Sequence, residues 1–119
     1  MPKGYLTTHV LDTAIGRPAK GVEINLFRVD GASRNKIGTA VTNADGRTDA
    51  PILPSDKFAT GTYELVFETG AYLTACGIAA EHPRFLDVIP IRFGVSDADS
   101  HYHVPLLLSP FGYSTYRGS

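Results

Sequence analysis

The sequence predicts an all-β fold, a sandwich of two sheets built from short strands, with one brief helix. Seven or eight segments alternate between apolar and other residues, and clusters of Gly, Pro, Asn and Asp separate them at regular intervals. Only one stretch has helical spacing. Short, evenly spaced strands favour a sandwich over a barrel with long staves. By its length of 119 residues, the chain is expected to form one domain over 1–119.

The first part of the chain holds three predicted strands. Residues 5–12 alternate, and residues 22–29 are rich in β-forming side chains. Residues 36–42 are expected to form a hairpin with the preceding strand. Loops are predicted at 16–21, where Gly-Arg-Pro interrupts the alternation, and at 43–46, which read Asn-Ala-Asp-Gly.

The middle of the chain holds a strand, a helix and a second strand. Residues 62–68 alternate, and residues 70–80 have apolar side chains at helical spacing, with Thr69 as a candidate N-cap. Residues 85–95 form another predicted strand that contains Pro90. Because proline lacks the backbone donor that an interior strand needs, this is predicted to be an edge strand.

The last nineteen residues predict a hairpin. Residues 101–109 alternate, Pro110 and Gly112 mark a turn, and Tyr113–Tyr116 run back. One face of the first of these two strands is apolar and belongs to the core. The opposite face mixes imidazole with leucine and proline, as does the face of the first strand that carries His9 and Leu11. Such mixed faces are typical of a surface covered by another subunit or by a ligand. The core face comprises Tyr102, Val104, Leu106 and Leu108, and the mixed face His101, His103, Pro105, Leu107 and Ser109.

Composition excludes several classes of function. The net charge of −1 provides no electrostatic footprint for nucleic acid, and no basic run suggests a membrane surface. No apolar run approaches the roughly 20 residues that span a bilayer, and the first residues lack the apolar core of a signal peptide. The single cysteine, Cys76, fits a reducing compartment. A cytoplasmic protein is therefore expected; the sequence leaves open a peroxisomal address.

Two histidines stand out as candidate functional residues. His9 and His103 each share a strand face with leucine, opposite the core. The pair His101 and His103 lies at i and i+2, so together with His9 it offers a possible metal site. No acidic or thiol ligand is evident near these histidines, which argues against a metal. By composition alone, Arg47 is a solvated charge after a tight turn.

Four segments resemble the 5-hydroxyisourate hydrolase family, the transthyretin-related proteins. They are residues 6–12, Leu-Thr-Thr-His-Val-Leu-Asp; residues 46–49, Gly-Arg-Thr-Asp; residues 101–110, which contain His-Tyr-His; and the final Tyr-Arg-Gly-Ser at 116–119. In this resemblance the terminal tetrapeptide is the most specific motif, because transthyretins proper lack it. Those hormone carriers also lack His, Arg and His at the positions that match His9, Arg47 and His103.

The resemblance implies a transthyretin-like β-sandwich of two four-stranded sheets with one short helix. It implies a homotetramer, a dimer of dimers, with active sites at the two ends of a channel between the dimers. The implied reaction is hydrolytic ring opening of 5-hydroxyisourate to 2-oxo-4-hydroxy-4-carboxy-5-ureidoimidazoline in urate degradation, with no cofactor and no metal. The residues to which the resemblance assigns catalysis are His9, Arg47, His103 and Ser119, with Tyr116 and Arg117 lining the substrate site.

Two other functions compete with hydrolysis. A non-catalytic carrier of the transthyretin type would bind an aromatic small molecule in the same channel, but it would want an apolar channel. A plain interaction module would leave the histidines, Arg47 and the terminal motif without a purpose. For the hydrolase, a neutral imidazole suits the general base, because its pKa lies close to working pH. Which histidine is the base, and whether His101 assists, stays open.

Overall fold

Residues 3–119, which the computed structural model describes, form two four-stranded β-sheets packed face to face. The predicted sandwich is therefore confirmed. The expectation that the chain has no signal peptide starts from Met1 and Pro2. Both residues lie outside the described range. The elements are β1 (Tyr5–Asp12), β2 (Arg17–Pro18), β3 (Glu23–Asp30), β4 (Ser33–Val41), a 3-10 turn (Ser55–Lys57), β5 (Gly61–Glu68), α1 (Thr69–Ala75), β6 (Val88–Val95), β7 (His101–Ser109) and β8 (Gly112–Thr115).

One sheet has the order β2-β1-β7-β8, and the other has the order β4-β3-β5-β6. All neighbouring strands are antiparallel except β1 and β7, which run parallel near the middle of the first sheet. In that pair Tyr5 lies opposite His101 and Thr7 lies opposite His103. The parallel register therefore brings the mixed faces of the two strands together on the outer surface of this sheet.

The core lies between the sheets and is apolar. The predicted core face of β7 is confirmed, since its Tyr, Val and two Leu side chains are all buried. The burial of β1 alternates strictly along the strand, so that Leu6 and Val10 point inward and His9 points outward. Each fully buried Leu, Val or Phe contributes about 1.5–3 kcal/mol relative to an exposed one. This inward packing fixes which side chains face the opposite surface.

The helix is shorter than the predicted span of 70–80. After α1, Gly77 takes a left-handed conformation with φ of +78°. The N–H groups of Gly77 and Ile78 then donate to the carbonyl oxygens of Thr74 and Leu73, both at 3.0 Å, which closes the helix. Thr69 was also wrongly predicted as the N-cap: it lies inside the helix, and its hydroxyl donates to the carbonyl oxygen of Asp87. No helix within residues 3–119 is long and apolar enough to cross a membrane.

Three strands also differ from the predictions by more than one residue. The predicted loop at 16–21 contains β2, whose two residues pair with the end of β1; a strand that short leaves no alternation to detect. The hairpin turn before β4 is tight, with Gly31 at φ of +58°, so that β4 starts at Ser33 and not at residue 36. The strand predicted over 85–95 starts at Val88. Its position at the sheet edge is confirmed.

Candidate active site

A cleft of about 270 Å³ opens on the outer face of β1 and β7. Its floor comes from the parallel strand pair, one wall comes from the loop after β4, and the last residue of the sequence closes another side. Polar groups therefore converge here from segments far apart in the chain. The lining residues are Tyr5, Thr7, Thr8, Arg47, Thr48, Asp49, Ala50, Pro51, His101, His103 and Ser119.

On the floor of the cleft, the hydroxyl group of Thr7 contacts the imidazoles of both His101 and His103. The Oγ1 of Thr7 lies 2.6 Å from Nε2 of His101 and 2.7 Å from Nδ1 of His103. The His101 ring also stacks on Tyr5, with ring centroids 4.2 Å apart and planes 11° from parallel. These contacts follow from the parallel register, which sets each residue of β1 beside its partner on β7.

His103 is the most enclosed of these histidines, with 9% of its surface exposed. Burial lowers the pKa of its imidazole, and the positive charge of Arg47 lowers that pKa further, followed by the nearby His101 and His9. A lowered pKa keeps His103 neutral at neutral pH. A neutral imidazole offers one nitrogen lone pair, which is the state that a general base requires.

Arg47 reaches the cleft through a tight turn that needs glycine at position 46. Gly46 has φ of +73°, and its carbonyl oxygen accepts the backbone N–H of Val10 at 2.8 Å. A Cβ at Gly46 would lie 2.4 Å from the carbonyl oxygen of Val10, so glycine is needed both for the conformation and for the close approach. An isolated β-bridge then sets Arg47 beside His9.

His9 lies on the same outer face but does not line the cleft of the single chain. Its ring centroid is 6.4 Å from that of His103. Burial lowers the pKa of His9, and the positive charge of Arg47 adds to this effect. Both histidines are thus biased toward the neutral form, and the Arg47 guanidinium is a positive charge that acts on both.

The terminal segment reaches the site in two ways. The backbone N–H of Gly118 donates to the carbonyl oxygen of His103 at 2.7 Å, and Ser119 lines the cleft. Arg117 does not line it: its guanidinium carbon lies 4.0 Å above the ring of Tyr102. Arg117 and Tyr116 border a different cavity, of about 250 Å³, between β6 and the end of β8.

Of the six residues assigned from the sequence, the structure places Arg47, His103 and Ser119 around one cleft, with His9 next to it. Sequence reasoning did not single out Tyr5 or Thr7 as site residues, although the alternation of β1 already placed both on the face of His9. The wall formed by residues 48–51 carries no periodic signal, so only the fold reveals it.

The arrangement suits addition of water to a polar carbonyl compound. Neutral imidazole can take a proton from water, and a guanidinium can stabilise the oxyanion that forms. Among residues 3–119, no group of three or more His, Cys, Asp or Glu side chains is arranged to hold a metal ion.

Known proteins are similar to this chain in both sequence and fold. The chain is 61% identical over 116 residues to a protein of Rhizobium meliloti (strain 1021) named 5-hydroxyisourate hydrolase 2, which covers 98% of this chain and 97% of that protein. The solved 5-hydroxyisourate hydrolase of Klebsiella pneumoniae superposes with a TM-score of 0.81 at 35% identity, covering 98% of this chain and 99% of that one. Sea bream transthyretin in complex with thyroxine superposes at 0.85 and 30% identity, covering 99% and 95%.

A model of the HIUase/Transthyretin family matches residues 6–118. That match spans every strand of both sheets except the first residue of β1, and it includes the turn of Arg47 and the strand of His103. Together with the 61% identity over nearly the whole length, it establishes that this chain belongs to the HIUase/transthyretin family.

Proposed function

We propose that this protein is an enzyme that hydrolyses 5-hydroxyisourate. The observation that carries the proposal is the convergence of Arg47, His103 and Ser119 on one cleft. The chain is also 61% identical to a protein named 5-hydroxyisourate hydrolase 2. The substrate is a polar purine derivative, and a cleft of about 270 Å³ lined by imidazole, guanidinium and hydroxyl groups matches it in polarity.

His103 acts as the general base in this proposal. Its lowered pKa keeps a lone pair available at neutral pH, and its place on the cleft floor sets it beside bound water. His103 takes the proton from water while the water oxygen attacks a ring carbonyl. General-base catalysis of this kind raises the rate roughly 10²–10⁴-fold. The neighbouring His9 and the Ser119 hydroxyl orient the attacking water.

Arg47 binds the substrate and stabilises the oxyanion. Its guanidinium stays charged at any working pH and presents a planar fork of donors to the oxygens of the purine. A well-placed donor to a developing oxyanion contributes about 2.7–4 kcal/mol in known sites. The positive charge also lowers the pKa of both histidines, so one residue supports the base and the oxyanion together.

Tyr116 and Arg117 have separate roles. Arg117 lies over the Tyr102 ring and precedes Gly118, so it anchors the segment that delivers Ser119. Tyr116 is 60% exposed at the end of β8. In the assembled enzyme, we place Tyr116 and Arg117 where the clefts of neighbouring subunits meet, and the aromatic ring covers the bound purine there.

The assembly that we propose is a homotetramer, a dimer of dimers. The outer face of β1 and β7 becomes apolar beyond the cleft, with Leu11 opposite Leu107, and both are half-buried in the single chain. The edge strands β6 and β8 border one cavity on the same side of the sandwich. Exposed aromatic rings lie there on or beside β8, at Phe111, Tyr113 and Tyr116. The outer face of β1 and β7 is one candidate interface, and the edge formed by β6 and β8 is the other. A dimer of dimers needs two such interfaces.

A carrier of the transthyretin type is the competing function. Sea bream transthyretin, solved with thyroxine, has the same fold. A carrier channel for an aromatic molecule favours apolar walls, whereas Arg47, His101 and His103 make this cleft polar. The polar cleft favours chemistry on a purine over storage of an apolar ligand.

We also propose a cytoplasmic location. Cys76 is a free and exposed thiol, which is stable in a reducing compartment. Fractionation of the cells that express this protein tests the proposal: recovery with periplasmic or membrane markers contradicts it.

The experiment that tests the function generates 5-hydroxyisourate from urate with urate oxidase and follows its ultraviolet absorbance. We expect the parent protein to accelerate the decay well above the rate in buffer. His103→Gln and Arg47→Gln should each lower kcat/KM at least roughly 10²-fold, because each removes a group that acts in the transition state. His82→Gln is the matched control, since His82 is exposed in a loop apart from the cleft. Decay no faster than in buffer overturns the proposal.

A further inference from the structure

We propose that Thr7 and His101 act as positioning residues that, with His103, form one proton-sharing unit. In this unit the Thr7 hydroxyl fixes the tautomer of His103 and passes the captured proton on to His101. The inference rests on the proposed function, in which His103 is the general base. It adds Thr7, which the sequence did not single out, and it gives a defined role to His101, whose part the sequence left open.

Counting protons shows why the tautomers are linked. The Thr7 hydroxyl lies within hydrogen-bond distance of Nε2 of His101 and Nδ1 of His103, but it has only one proton. At least one of the two imidazoles must therefore donate an N–H to Thr7. If Thr7 donates to His103, then neutral His103 carries its proton on Nε2 and has no lone pair left. If His103 donates to Thr7, its Nε2 carries no proton and keeps its lone pair.

The second arrangement is the one that a base needs. It makes Nδ1 of His103 the donor to Thr7, and Thr7 the donor to Nε2 of His101, across the two contacts of 2.7 Å and 2.6 Å. Among the hydrogen bonds of residues 3–119, none uses Nε2 of His103, so this nitrogen is available to water in the cleft. Thr7 thus does for His103 what a carboxylate does for the histidine of a catalytic triad: it fixes which nitrogen holds the proton.

The same hydrogen bonds provide a balanced route for the proton. Water gives a proton to Nε2 of His103 as its oxygen attacks the carbonyl carbon. The Nδ1 proton of His103 then moves to Oγ1 of Thr7, and the hydroxyl proton of Thr7 moves to Nε2 of His101. Thr7 ends as a hydroxyl, and His101 holds the positive charge. The reverse path returns the proton through His103 to the ring nitrogen that leaves when the C–N bond breaks.

His101 is placed to hold that charge. Its ring stacks on the face of Tyr5 at 4.2 Å, and an aromatic face attracts a cation. It is half-buried at the cleft, where its proton can exchange with solvent. The other titratable and charged groups that face the unit are His9 from β1, and Arg47 and Asp49 from the loop after β4.

A kinetic test compares Thr7→Val with Thr7→Ser. Valine keeps the shape and the strand preference but removes the hydroxyl, so we expect kcat to fall about 10- to 100-fold, as for other partners that orient a functional histidine, with little change in KM. Serine keeps the hydroxyl and should restore most of the activity. The control Thr39→Val makes the same change at an exposed position on β4. Equal loss in the Val and Ser variants overturns the proposal, as does unchanged turnover in Thr7→Val.

A double-mutant cycle tests whether the three residues act as a unit. His101→Phe keeps a ring to stack on Tyr5 but removes the nitrogen that accepts from Thr7. The hydroxyl is then free to donate to His103, which favours the wrong tautomer. We expect His101→Phe and Thr7→Val each to lower kcat, and the double variant to be no worse than the more impaired single one. Additive losses overturn the shared unit.

Nuclear magnetic resonance tests the tautomer without any substrate. In protein labelled with ¹⁵N on histidine, the imidazole shifts at about pH 8 should show His103 protonated on Nδ1 and bare at Nε2. In Thr7→Val this preference should be lost. A parent protein with His103 protonated on Nε2 overturns the proposal. This readout stays valid if the protein proves not to hydrolyse 5-hydroxyisourate, so the two failures are distinguishable.

Discussion

The backbone N–H of Gly118 donates to the carbonyl oxygen of His103 at 2.7 Å, which attaches the end of the sequence to the strand of the proposed base. The contact is close: a Cβ on Gly118 would lie 2.5 Å from Cδ2 of His103. No φ in the left-handed range is involved, so glycine is required here by space alone. The terminal segment and the His103 ring therefore share one packing arrangement.

Gly118→Ala should separate this segment from His103. We expect the added methyl group to displace Ser119 from the cleft and to lower kcat roughly 10-fold or more, by analogy with other groups that position a histidine. The melting temperature should change little, because Gly118 lies outside the core. Gly112→Ala is the control, since its Cβ would meet only Ser109 Oγ, at an ordinary 3.6 Å. Equal turnover in the two variants would contradict the role of the segment.

Gly46→Ala tests the turn that carries Arg47. Alanine at φ of +73° costs about 1–2 kcal/mol in backbone strain, and its Cβ would also meet the carbonyl oxygen of Val10 at 2.4 Å. The turn must shift, and Arg47 shifts with it, so both stability and kcat/KM should fall. Gly31→Ala carries the same kind of strain at φ of +58°, with nothing within 4 Å. It should lose stability but keep activity; a parallel loss of activity would refute the link to Arg47.

Most of the fold was predictable because alternation reports which face of a strand is buried. The mixed faces of β1 and β7 were identified from residues such as His9 and Leu107. Their parallel pairing was not predicted, because it joins segments more than 90 residues apart and depends on how both sheets close over the core. The hydroxyl bridge of Thr7 follows from that register, so it too needed the fold.

The errors have local causes. The helix was extended to residue 80 because its apolar spacing continues, but Gly77 ends it in a left-handed conformation. Cys76, which fits the spacing, is exposed, and Ala80 is only half-buried. Tyr116 and Arg117 do not line the cleft of the single chain, and their part in the substrate site stays a prediction. Ser119 lines the cleft, Gly118 donates its N–H to the His103 carbonyl, and the Arg117 guanidinium lies over Tyr102.

The pH dependence of activity follows from the two lowered imidazole pKa values. Both His9 and His103 have a pKa below the ordinary 6.5. Because the base must be neutral, kcat/KM should stay level from about pH 8 down to about 6.5 and should fall only at lower pH. A profile measured with the coupled urate oxidase product tests this expectation. A rate that stays level through about pH 4.5, or that rises on acidification, is incompatible with a histidine base.

The same shifts make stability depend on pH. The unfolded chain binds protons at His9 and His103 near pH 6.5, whereas the folded chain binds them only at lower pH. As the pH falls below about 6.5, the unfolded state therefore gains protons first, and the free energy of unfolding decreases until the folded-state pKa values are passed. Melting temperatures at one protein concentration measure this effect. The variant His9→Gln/His103→Gln should show a flatter dependence between about pH 7.5 and 5.5, and an unchanged slope would assign the effect to other groups.

The exposed edge of the sandwich predicts how the subunits meet. Phe85, in the loop before β6, and Phe111, in the turn between β7 and β8, are each 68% exposed, and their ring centroids lie 6.0 Å apart. Large exposed aromatic rings beside two open strand edges are typical of a surface that another copy covers. Phe111→Glu places a charge in that surface and should dissociate the proposed tetramer, as measured by light scattering coupled to size-exclusion chromatography.

Ile37→Glu is the matched control for this change. Ile37 is 44% exposed on β4, at the opposite edge of its sheet, so a charge there should leave the assembly intact. If the active site needs two subunits, Phe111→Glu should also lower kcat/KM in proportion to the dissociated fraction, and higher protein concentration should restore it by mass action. A Phe111→Glu protein that remains tetrameric would move the interface elsewhere. A dissociated protein with full activity would show that one chain contains the whole site.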